Sequence, residues 1–165
     1  MPARNITMDG VTSFSGFFGQ TFVWNNNYIG DIGFWTGQNA GSFTFNITLT
    51  GAAWANRSLF FAGVGASHVN ITDSHDGIIR DLFTIQLGSG NSNVTLFDSR
   101  VFYIRAGGNG DSAITLGTQE TSSILLFGGD DTVTVGSGSI GSIDMGDGIN
   151  VVNGGAGFIQ NLRFG

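Results

Sequence analysis

The sequence predicts an all-β chain folded as a parallel β-solenoid of the β-helix or β-roll kind. It would have about eight coils of about 19–24 residues, with two main strands per coil. Three observations predict it. Glycine fills 28 of 165 positions, far above the usual ~7%. Apolar residues never recur at three-four spacing over a helical length; they alternate in short runs broken by Gly, Asn, Asp and Ser. A small-polar, aliphatic, small-polar triplet returns at a nearly constant interval. A β-sandwich would also suit short strands and glycine turns, but the constant period of the last coils favours stacking.

The chain reads as one domain, 1–165, with irregular Phe-rich coils over 1–45 and regular coils over 46–165. The triplet begins at Asn5-Ile6-Thr7, and Asn27-Tyr28-Ile29 is a poor but correctly spaced second member. Asn46-Ile47-Thr48, Asn70-Ile71-Thr72, Asn93-Val94-Thr95, Ala113-Ile114-Thr115, Thr132-Val133-Thr134 and Val151-Val152-Asn153 follow. A second strand recurs at Ile85-Gln86-Leu87, Ile104-Arg105-Ala106, Leu125-Leu126-Phe127, Ile143-Asp144-Met145 and Leu162-Arg163-Phe164, with Leu126 breaking the apolar-polar-apolar rule. Glycine-rich corners come next in each coil, where glycine supplies positive φ and Asn or Asp tolerates it. Stacked at about 4.8 Å, eight coils make a rod of roughly 40 Å. Ile47, Ile71, Val94, Ile114, Val133 and Val152 would form one inward column, joined two residues on by Leu49, Leu96, Leu116 and Val135.

Composition narrows function. The formal net charge is -6, the six basic residues are all arginine, and there is no cysteine. A nucleic-acid partner would want a basic patch, and neither thiolate chemistry nor a lysine-based mechanism is available. No apolar run reaches the ~20 residues of a membrane span, and the start has no apolar stretch resembling a signal peptide. The two histidines, His68 and His75, lie near Asp73, Asp76 and Arg80. That set could be imagined as the acid-base cluster of a polysaccharide-modifying β-helix, but a polar surface loop explains it more simply. The expectation is that the protein is not an enzyme.

The corners Gly128-Gly129-Asp130-Asp131-Thr132-Val133 and Gly146-Asp147-Gly148-Ile149-Asn150 resemble the calcium-binding repeats of RTX (hemolysin-type) proteins. The resemblance covers about residues 107–157, and the family's nine-residue repeat is not met cleanly. It implies a β-roll, an extracellular or cell-surface location, and calcium held between turns by Asp111, Asp130, Asp131, Asp147 and Asn150, with Asp111, Asp131 and Asn150 in one file. Asp and Asn also cap such turns with no metal.

Two surfaces complete the reading. Thr48, Thr72, Thr95, Thr115 and Thr134 would form an outward file beside Asn46, Asn70, Asn93, Ala113 and Thr132. Regularly spaced water could match such a face, as in β-helical ice-binding proteins, although threonine also favours strands for its own reasons. The Asn-x-Ser/Thr sequons at Asn46, Asn70 and Asn93 fall on the repeat, which explains them better than glycosylation does. Trp35 and Phe61 are expected in the outward file of the second wall, whereas Trp24 and Trp54 have no evident place. A solenoid leaves open ends, marked here by Ile6 at one and by Leu162 and Phe164 at the other. The expected partner is a second copy, stacked head to tail into an extracellular filament or surface layer. Cell-surface polysaccharide is a further expected partner.

Overall fold

The structure, a computed structural model, describes the strands named below, Gly77 and residues 79–165, with side chains described at Ser58, 70–73, 79 and 81–165. All regular structure among these residues is β-strand. No helix among them is long and apolar enough to cross a membrane.

The strands form two parallel sheets, each coil giving one strand to each sheet. The first sheet holds β1 (Arg4–Met8), β3 (Gln20–Trp24), β5 (Phe43–Leu49), β7 (Ser67–Asp73), β9 (Ser92–Leu96), β11 (Ser112–Leu116), β13 (Thr132–Thr134) and β15 (Val151–Asn153), paired in that order. The second holds β2 (Ser13–Ser15), β4 (Ile32–Trp35), β6 (Arg57–Ala62), β8 (Arg80–Leu87), β10 (Ser99–Ala106), β12 (Thr121–Leu125), β14 (Ile140–Asp144) and β16 (Ile159–Arg163). The predicted β-solenoid is the observed fold.

Strand alternation sorts the side chains. In the first sheet Ile71, Val94, Ile114 and Val133 stack inward, all essentially inaccessible, and Leu96, Leu116 and Val135 stack beside them. The second sheet gives the columns Leu82–Val101–Thr121–Ile140 and Ile85–Ile104–Ile124–Ile143. Like side chains stack on like, so each coil is buried mainly by the coils above and below it.

Register corrects three expectations. The second member of the first-sheet series is Thr21-Phe22-Val23, paired with Asn5-Ile6-Thr7 on one side and Asn46-Ile47-Thr48 on the other; Asn27-Tyr28-Ile29 lies outside the described residues. Coil length is therefore less even at the start than the triplet spacing suggested. In the second sheet, Ile124 pairs with Ile104 and Ile143, so the unit is Ile124-Leu125-Leu126. Leu126 is then an ordinary buried residue, and Leu125 takes the outward place held by Gln86, Arg105 and Asp144. Phe60, rather than Phe61, pairs with Gln86 of that outward file, while Trp35 pairs with Ala62, two residues farther along.

Candidate functional site

The glycine-rich corners hold most of the predicted site residues. Pairing begins immediately after each corner, with Ala113 opposite Thr132 and Thr132 opposite Val151. That register sets Asp131 and Asn150 level with Ser92 and Ser112, and Asp130 level with Asn91 and Asp111. The single file of Asp111, Asp131 and Asn150 is thus corrected to two files. The corner 107–111 carries one residue more than its neighbours, which displaces Asp111 outward by one place.

Each file is a ladder of side-chain caps on backbone donors, and the two run in opposite directions. In the outer file, a side chain accepts from the N–H of the next coil. The Asp111 N–H donates to Asn91 Oδ1 (3.0 Å), the Asp130 N–H to Asp111 Oδ1 (2.9 Å), and the Ile149 N–H to Asp130 Oδ1 (2.8 Å). In the inner file, the acceptor comes from the coil that follows. The Ser112 N–H donates to Asp131 Oδ1 (2.7 Å), and the Asp131 N–H to Asn150 Oδ1 (2.9 Å). Asn150 also donates through Nδ2 to the Met145 and Gly146 carbonyls. A corner leaves backbone N–H groups without ladder partners, and these side chains satisfy them.

Asp131 is the exceptional member. It is 1% exposed, and its Oδ2 is buried with no hydrogen-bond partner. Burial pushes its carboxyl above the ordinary range, and the negative charges of Asp111 and Asp130 push it the same way, against the lowering effect of the Ser112 N–H bond. Asp147 is exposed at the next corner. Among the described residues, no three His, Cys, Asp or Glu side chains converge as a metal-binding group.

Glycine at these corners is required by close approach as well as by φ. Gly129 has φ +105°, and a Cβ there would lie 2.6 Å from the Gly110 carbonyl oxygen. Gly148, one coil on, has φ +119° and abuts Gly129 in the same way.

A second buried carboxylate fills the place between Leu49 and Leu96 in the first sheet. Asp73 pairs with Leu49 and is 3% exposed. Its Oδ2 accepts from the Asp98 N–H (2.6 Å) and the Ser99 N–H (3.0 Å), while Asp98 Oδ2 accepts from the Gly77 N–H (2.9 Å). Asp73 therefore caps the opposite corner of the next coil. His68, expected at a corner, lies within β7 opposite Thr44, and Arg80 opens β8 opposite Ser99. His75 and Asp76 lie outside the described residues.

The threonine file is in register throughout: Thr48, Thr72, Thr95, Thr115 and Thr134 pair in succession, and Asn153 follows. At the end of the stack the inward columns reach the surface. Leu162, level with buried Ile143, is 45% exposed, and Phe164 is 51% exposed two residues on. Ile6 lies in β1, paired with Phe22, at the opposite edge of the first sheet.

The sequence reading missed an aromatic patch on the outer face of the second sheet. Phe83, Phe102 and Tyr103 are each about half exposed, with ring centroids 5.8–6.0 Å apart. Its signal was available: Phe83 and Phe102 stand one coil apart, each following an inward residue and preceding a second outward one. Compared with family models, curated proteins and solved structures, the chain matches none.

Proposed function

We propose that this protein is a non-enzymatic structural solenoid that stacks end to end into an extracellular filament or surface layer. The observation that carries the reading is the exposure of Leu162 and Phe164 at the β15/β16 face, in columns whose members in the preceding described coils are buried. The sheet orders support it. β15 and β1 are the outer strands of one sheet, and β16 and β2 are those of the other. A second copy translated along the axis would bring β1 to β15 and β2 to β16, both in the parallel sense already used inside the molecule. Such a contact is heterologous and repeats without closing. It would return backbone donors and acceptors to a ladder and remove Leu162 and Phe164 from water, each worth on the order of 1 kcal/mol.

Electron microscopy of the purified protein, split between calcium and a chelator, tests the reading. Ordered filaments or sheets are expected in calcium. Their loss in chelator would assign calcium a place at the corners, and their persistence would leave the hydrogen-bond ladders as the sufficient support. Dispersed particles in both samples would overturn the proposal.

The unbroken threonine file supports a second reading, ice binding through the outer face of the first sheet. Its sign would be thermal hysteresis, lost in the double variant Thr95→Tyr and Thr115→Tyr.

A further inference from the structure

The outer face of the second sheet carries a groove of about 370 Å³ whose lining includes Gln86, Tyr103, Arg105, Ser123 and Leu125. Three of its features point to one class of ligand. The first is the aromatic surface: the Tyr103 ring stands edge-on to Phe83 at 84° and is about half exposed, as Phe83 and Phe102 are. A half-exposed ring beside hydroxyl and amide groups suits a ligand with one apolar face and a polar rim, which describes a pyranose ring.

The second is unspent hydrogen-bonding capacity. Gln86 uses Nε2 on the Leu87 carbonyl (3.2 Å), which leaves Oε1 to accept from a hydroxyl. Ser123 Oγ lies 2.9 Å from Ser142 Oγ in a hydroxyl pair that accepts the Ser142 proton and leaves the Ser123 proton to donate.

The third is charge. Arg100 pairs with Asp81 at 3.4 Å, and Arg163 with Asp144 at 3.6 Å. Arg105, exposed on the same strand as Arg100, has no carboxylate partner among the described residues; its guanidinium lies 5.0 Å from the centroid of the half-exposed Phe127 ring. Stacking on an aromatic face holds a guanidinium extended while leaving its N–H fork open to a carboxylate. An uncompensated cation stands out on a chain of net charge -6.

We infer that this groove binds a glycan strand bearing carboxylates, with a sugar face on Tyr103 and a uronate carboxylate on Arg105. Gln86, Arg105 and Leu125 succeed one another up the stack at the strand spacing of about 4.8 Å, comparable to the rise of one pyranose unit. A strand lying along the rod axis would therefore meet one coil per sugar. This side-wall surface is distinct from the end face, so the inference does not depend on end-to-end stacking.

Isothermal titration at low salt with oligogalacturonate and with a neutral cello-oligosaccharide of equal length tests it, beside Arg105→Gln and Tyr103→Ala. Both changes are on the exposed face, and circular dichroism verifies their folding. Oligogalacturonate is expected to bind at least tenfold tighter than the neutral sugar, with tenfold or greater weakening in each variant and weakening by salt. No binding of oligogalacturonate, or binding that neither variant alters, overturns the inference. So does sedimentation showing that Phe102→Ser disperses an oligomer, because a second copy would then occupy the patch.

Discussion

Coils in the middle of the stack and the coil at its β15/β16 end use the same columns with opposite outcomes. Ile143 and Met145 are 1% and 0% exposed, whereas Leu162 and Phe164, one coil on, are 45% and 51% exposed. The backbone pairing is the same in kind, since β14 pairs with β16 as β12 pairs with β14. A solenoid coil therefore does not bury its own apolar residues; its neighbours do. Burial here is a property of the interface between coils, and a coil with one neighbour carries half an interface to spare.

Substitution along one column sharpens the contrast. Ile143→Ala should destabilise by about 2–5 kcal/mol, because the truncation leaves a cavity between two closed coils. A urea melt checks it. Gly129→Ala comes next, at about 1–3 kcal/mol, since the new Cβ meets the Gly110 carbonyl in a left-handed backbone conformation. The end-coil control Gly154→Ala, with open space around it, should leave the melt unchanged.

Asp131→Asn should stabilise by about 1 kcal/mol at neutral pH. The amide oxygen keeps the Ser112 N–H bond, and the new nitrogen is expected to reach the Leu126 and Phe127 carbonyls, which stand in register with the Met145 and Gly146 carbonyls that Asn150 Nδ2 donates to. The sign follows from the raised pKa. Holding Asp131 ionised costs the folded state above that value, and the cost disappears as pH falls through it. Thermal melts across acidic to neutral pH should show the variant's advantage shrinking toward low pH. The smallest loss among the truncations belongs to the end coil: Leu162→Ala should cost the dilute monomer under about 1 kcal/mol, since nearly half the side chain is already in water.

The coil repeat was legible because strand alternation and stacking write it twice, as Asn-Ile-Thr triplets in one sheet and as Ile or Leu steps in the other. Register was legible only where neighbouring residues differ in kind. Ile124-Leu125-Leu126 offers two equally apolar alignments, and Asp130-Asp131 two equally acidic ones; pairing chose the other member each time. The extra corner residue before Ser112 compounded the second slip. Asp73 reads as part of a polar surface loop but is buried, because a carboxylate that caps a distant corner leaves no local pattern. The aromatic patch was missed because Val101-Phe102-Tyr103-Ile104 reads as one apolar run, while the strand turns its middle pair outward.

Sedimentation velocity over a hundredfold range of protein concentration, with Leu162→Arg/Phe164→Arg alongside, tests the claim about the end face most directly. Stacking predicts species that lengthen with concentration in the unmodified protein, and a single monomeric boundary in the folded double variant. An unmodified protein that stays monomeric across the range, or a variant that assembles equally well, would contradict it.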